Sequence, residues 1–373
     1  MTVDRIDRTP RAPGAARVRS RRLDALQGVR GIAALLVVVA HSVENFNEVE
    51  GVTSRSFVAD ACGIFGVNTF FVISGFLMIY VHGDEFGESR APRNYYARRI
   101  ARIIPLYWAF TLIYAVKYLW SGEATWWDAA RSFLFVPYRD DSGLWQPVLH
   151  QGWTLNYEML FYLVFGLSLF FARGVWIVFT IFAALVSSHV FFGYTDSLGT
   201  LFFWSEPIIL YFLAGVVLGL VRRRVSWGLS FATAGALSVL VVFAFVLSIA
   251  KFHTTPHFFA FASPIASITL VSLVALAKEN ADRSPPRRLA DLLGNISYSV
   301  YLSHLLVIAP AAKIILGKLF PDMPVAVFLI LMICATAVFG YLVYKLVEKP
   351  LIKLWNRAFV RSSRSVTTTP AAA

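Results

Sequence analysis

Charge is what this sequence has least of. Only 15% of its 373 residues are Asp, Glu, Lys or Arg, against roughly 25% in a soluble globular chain. With 57% hydrophobic residues beside it, so little charge cannot cover a water-facing surface, and an ordinary soluble fold is excluded. Cysteine is scarce too. Cys62 and Cys334 supply no disulfide framework and no metal cluster, and Cys334, inside an oily run, reads as packing. The soluble-enzyme signatures are missing: no G-x-S-x-G, no P-loop, no H-E-x-x-H and no C-x-x-C. Charge of one sign is short as well, with 22 acidic residues against 34 basic ones, a formal net charge of +12. No basic globular segment remains outside the apolar runs to bind nucleic acid, so the surplus is assigned to cytoplasmic loops.

What is present is length and oil. A membrane-crossing helix needs roughly 20 mostly apolar residues. On that criterion the sequence predicts about ten: 26–46, 64–82, 102–120, 153–171, 174–192, 203–221, 227–250, 258–277, 296–317 and 324–347. The fold class expected is an all-α integral membrane protein in a lipid bilayer, a multi-pass protein of the cell (inner) membrane. The loops support it. Arg90, Arg93, Arg98, Arg99, Arg173, the Arg222–Arg224 run, Lys278, Arg283, Arg287 and Arg288 fall in alternate connections. The intervening ones carry Glu48, Glu50, Asp60, Glu123, Asp140 and Asp141. That alternation predicts both termini in the cytoplasm. The Arg-rich stretch 1–24 reads as a disordered basic tail without a cleavage site, 25–355 as the membrane domain, and 356–373 as a second disordered tail. The longest outer loop, 121–152, contains "TWWDAARSFLFVP" and predicts a short interfacial helix.

Several polar residues stand where lipid would penalise them. In "GVRGIAALLVVVAHSVENF" His41 follows Arg30 by eleven positions, close to three helical turns, so both face one way roughly 16 Å apart. Snorkelling explains Arg30 alone, and a bond to a neighbouring helix explains His41 alone. Together on one stripe they predict a polar cavity. Glu158, in "GWTLNYEMLFYLVFGL", needs a partner. Its helix enters from outside, at the depth expected for His41, so a histidine oriented by a carboxylate, a general base, is predicted. A Glu–His pair that only locks two helices is the competing reading. Arg99 and Arg102, in "YYARRIARIIPLYW", share a face at the cytoplasmic mouth and suit a phosphorylated ligand; Arg98 is explained by topology alone. Asn68, Ser74, Asn156, Tyr157 and His304 are candidate cavity-lining residues. Ser74-Gly75 also suits close helix packing. Glu348 is expected to pair with a basic residue at the inner interface.

The series "LDALQGVRGIAALLVVVAHS", "GVNTFFVISGFLMIY", "ARRIARIIPLYW", "GWTLNYEMLFY", "LGNISYSVYLSHLL" and "VEKPL" resembles membrane acyltransferase family 3 over roughly residues 23–355. "WTLNYEMLFY" resembles the branch that acetylates exopolysaccharides. The opening departs from the commoner "LDGLRG", and no esterase-like domain follows. The resemblance implies an O-acetyltransferase moving acetyl from cytoplasmic acetyl-CoA, or another acyl-CoA, to a glycan or lipid-linked saccharide. No cofactor is implied beyond that co-substrate, and no metal. By the family's motifs Arg30, Arg99 and Arg102 bind the donor, His41 is the base, and Glu158 orients it. A transporter using an Arg/His/Glu proton relay is the other reading; it expects two-fold internal repeats, which this sequence lacks.

Overall fold

The computed structural model describes residues 13–52, 56–193, 199–252, 256–277 and 285–357. Apart from one isolated bridge between Leu229 and Ala277, its regular structure is helical. In chain order the helices are α1 (Pro13–Val49), α2 (Phe57–His82), α3 (Ala91–Ser121), α4 (Trp126–Phe133), α5 (Trp153–Ser168), α6 (Gly174–Phe192), α7 (Thr200–Trp204), α8 (Leu210–Arg224), α9 (Phe231–Phe252), α10 (Pro256–Ala275), α11 (Pro285–Ile314), α12 (Val325–Val343) and α13 (Lys349–Trp355).

All ten predicted segments fall on helices, and among the described residues seven helices are long and apolar enough to cross a membrane. α5 has 16 residues, about 24 Å, short of a ~30 Å hydrocarbon core. α9 and α10 run to 22 and 20 residues. The tails also differ. α1 begins at Pro13, so residues 13–24, expected to be disordered, continue the helix. After Gly14 that stretch is mostly Ala, Arg and Leu, which are strong helix formers, and no further Pro or Gly interrupts it. Residues 356–357 likewise continue the C-terminal helix. Residues 1–12 and 358–373, the rest of both predicted tails, lie outside the described residues.

A short helix is present in the loop 121–152 as α4. Thr125 caps it, accepting from the Asp128 amide while the Asp128 carboxylate accepts from the Thr125 amide, which satisfies two end donors at once. Trp126 and Trp127 stand outward from its exposed side.

The centre of the molecule is α1, packed most extensively against α11 and α2, with α8 covering the other side of α2. Gly75 of α2 and Gly215 of α8 set that second distance. A Cβ on Gly75 would run into the Phe212 carbonyl, and one on Gly215 into that of Val72. Gly75 therefore answers to the packing reading of the sequence. Large apolar side chains such as Val116, Phe191, Val239 and Ile330 cover the outside, as a lipid-facing surface requires. α12 passes into a wider π-helical turn over Tyr344–Glu348. Such turns re-aim side chains. Here the turn buries Glu348, whose Oε2 accepts from Ser299 Oγ at 2.5 Å.

Candidate active site

Two cavities lie back to back along α1. The first, of about 80 Å³, is lined by Arg30, Ser74, Arg99, Arg102, Glu158 and Tyr162 among apolar neighbours. All three arginines singled out by the sequence thus meet in one place. Arg99 and Arg102 come one turn apart from the early part of α3; Arg30 comes from α1. Arg30 Nη1 donates to Gln27 Oε1 at 2.8 Å, and the Arg99 guanidinium lies 5.3 Å from the Tyr162 ring centre, a cation–π distance. Glu158 Oε1 accepts from Ser74 Oγ at 2.7 Å and from Tyr162 OH at 3.1 Å. Ser74 and Gly75 thus divide two tasks, one holding the carboxylate and one admitting α8.

The second cavity, of about 230 Å³, is lined by His41, Glu44, Asn68, His150 and Gln151, with Asp60, Gln146 and Trp153. His41 Nδ1 lies 2.7 Å from Glu44 Oε2. A carboxylate accepts only, so Nδ1 donates to Glu44, and in the neutral ring the lone pair lies on Nε2. The His41 ring stacks on His304 at 5.0 Å. His304 Nδ1, 2.7 Å from the Tyr301 carbonyl, is a donor by the same logic. Val67 and Tyr301 line both cavities and stand between them.

The predicted meeting of His41 and Glu158 does not occur: the two residues line different cavities. The reason is depth. The chain before α5 has already turned inward, with Val148, Leu149 and Gln151 buried. The first turns of α5 therefore start well inside the bundle, and Glu158 falls level with the arginines. The carboxylate that holds His41 is Glu44, three residues along the same helix, and the i, i+3 spacing was its signal in the sequence. Of the candidate lining residues, Ser74 lines the arginine cavity and Asn68 the histidine cavity. His304 is buried behind His41. Asn156 and Tyr157 line neither; the Tyr157 ring stacks on Phe203 at 4.1 Å. Gln27, Glu44, Gln151 and Tyr301 are the site residues the sequence reading missed.

A bundle of membrane-crossing helices enclosing an arginine-lined and a histidine-lined cavity that share Val67 and Tyr301 defines a multi-pass membrane protein. Its family is shown by its relatives. The chain belongs to acyltransferase family 3: the family model, an acyltransferase domain, matches residues 23–345. It is 33% identical over 305 residues, 78% of this chain and 90% of the relative, to the exopolysaccharide production protein ExoZ of Rhizobium meliloti. No solved structure matches. Family membership replaces the transporter reading with group transfer, and the protein is a membrane acyltransferase.

Proposed function

We propose that this chain transfers an acetyl group from cytoplasmic acetyl-CoA to a hydroxyl of an exopolysaccharide or its lipid-linked precursor, in the cell membrane, with both termini in the cytoplasm. The observation that carries the reading is the pair of cavities meeting at Val67 and Tyr301. One has the guanidinium groups that phosphates require; the other has a histidine with a free nitrogen. The relative's name, an exopolysaccharide production protein, supports the acceptor.

The chemistry follows from the side chains. Arg99 and Arg102 grip the phosphates of CoA at the mouth of α3, where positive charge collects on the cytoplasmic side. At about 80 Å³ the cavity takes the tip of an extended chain, not a nucleotide, since whole-ligand pockets run to roughly 300–1,000 Å³. The thioester therefore enters from the arginine side and presents its carbonyl at the wall. The sugar hydroxyl approaches from the other side. His41 Nε2 takes its proton as the oxygen attacks the carbonyl carbon. Glu44 stabilises the imidazolium. The C–O bond forms, the C–S bond breaks, and the imidazolium returns the proton to the departing CoA thiolate. Glu158 serves the donor side, holding Tyr162 under the Arg99 guanidinium.

Mass spectrometry of surface glycans from cells with and without the gene tests this reading. Loss of a 42-dalton ester, about the mass of one acetyl replacing one hydrogen, is expected. Unchanged glycan masses contradict it.

A further inference from the structure

Two residues of the histidine-side cavity carry buried amide oxygens that no hydrogen bond satisfies among the described residues. Gln151 Nε2 donates to the Leu302 carbonyl at 2.8 Å. A carbonyl accepts only, so the amide cannot be reversed. Its Oε1 is buried with no hydrogen-bond partner among the described residues. Asn68 Nδ2 bonds the Tyr211 hydroxyl at 2.8 Å and Ser263 Oγ at 3.0 Å, and its Oδ1 is likewise without a partner among them. The two residues are 3% and 2% exposed, and both line the cavity that contains His41. Leaving a buried acceptor unpaired is costly. Two of them on one cavity, that of Gln151 fixed by what its own nitrogen does, call for a ligand that arrives with donors. The ring hydroxyls of a sugar are such donors.

The surroundings fit a sugar chain. Gln146 and His150 line this cavity and also a second one beyond it, whose wall carries Glu123 and Asp141. Burial holds His150 below the usual histidine range, so it is neutral near pH 7, and its ring stacks on Tyr118 at 5.5 Å. Gln151 is also tied to the wall between donor and acceptor: its backbone carbonyl accepts from the Tyr301 hydroxyl at 2.8 Å.

We infer that Asn68 Oδ1 and Gln151 Oε1 form the acceptor's sugar subsite, each taking a hydrogen bond from a ring hydroxyl of the residue to be acylated. The reacting hydroxyl is thereby held at His41, and the rest of the glycan leaves past Gln146 and His150. The inference rests on the glycan acceptor proposed above.

The test uses the full-length protein in lipid nanodiscs, radiolabelled acetyl-CoA, and exopolysaccharide oligosaccharides stripped of their esters by mild base. Gln151→Met and Asn68→Leu are expected to raise KM for the oligosaccharide by ~10–100-fold and to leave KM for acetyl-CoA within about twofold, since uniform binding is lost for one substrate only. Gln151→Met keeps the shape, and the Leu302 carbonyl retains its own helical partner. Asn68→Asp keeps an acceptor oxygen, and the Tyr211 and Ser263 hydroxyls can turn to donate to it, so it should recover most of the oligosaccharide KM lost in Asn68→Leu. Unchanged oligosaccharide KM in both variants overturns the subsite. So does an equal rise in both KM values, the mark of a merely structural role. A wild-type enzyme that acetylates none of these oligosaccharides overturns the glycan acceptor itself, and the subsite with it.

Discussion

Arg98 and Arg102 stand on the same helix with the same charge, and the structure separates their tasks. Arg98 is exposed and lies 3.8 Å from Glu85, a surface pair of small energetic worth. Arg102 lines the cavity with Arg30 and Arg99. Arg102→Ala is therefore expected to raise KM for acetyl-CoA about tenfold or more, the loss of one charge-assisted contact, while Arg98→Ala changes it less than about twofold. Steady-state transfer kinetics on both variants check this, and equal effects contradict it. Glu158→Gln belongs to the donor side for the same reason. It should act on KM for acetyl-CoA and leave the pH profile of transfer in place, because Glu158 bonds Ser74 and Tyr162 and not His41. The arginine cluster was legible in the sequence because basic residues inside oil have few explanations. The partner of His41 was not. Relative depth depends on how far the chain before α5 dips, and no local pattern records that.

At the scale of elements, the closest contact around the site is between α2 and α8. It decides where Ser74 sits, and through Ser74 where Glu158 sits. Gly75→Val or Gly215→Val must push a branched side chain into a backbone carbonyl of the facing helix. Overpacking of that kind costs at least ~1–3 kcal/mol, and here rigid backbone has little room to yield. The expected outcome is a lower thermal midpoint in detergent and reduced membrane yield. Gly235→Ala, in α9, meets nothing within 4 Å and should match or slightly exceed the wild type in stability, since Ala favours helix over Gly. Equal stability of the Gly75 and Gly235 variants would contradict this account of the packing. Hydropathy made all ten helical segments legible, because a run of apolar residues is visible without tertiary context. What hydropathy does not record is where a helix stops: α5 ends after 16 residues, fewer than the roughly 20 that a straight crossing needs.

For the whole molecule, the proposed transfer requires the two cavities to open to opposite sides of the membrane. Reporter fusions at residue 360 and within 121–152 are expected to report the cytoplasm and the outside respectively, following the loop charges. Same-side signals would remove the two-sided supply of substrates. Given that arrangement, the central claim is that His41 performs the proton transfer while the donor is bound elsewhere. Acetyl transfer per molecule of His41→Ala, measured together with its binding of acetyl-CoA, tests it most directly. The account predicts a rate lower by ~10²–10⁴-fold with acetyl-CoA affinity within about twofold of the wild type, because the arginine cavity contains no part of His41. A near-normal rate per molecule in His41→Ala would contradict it.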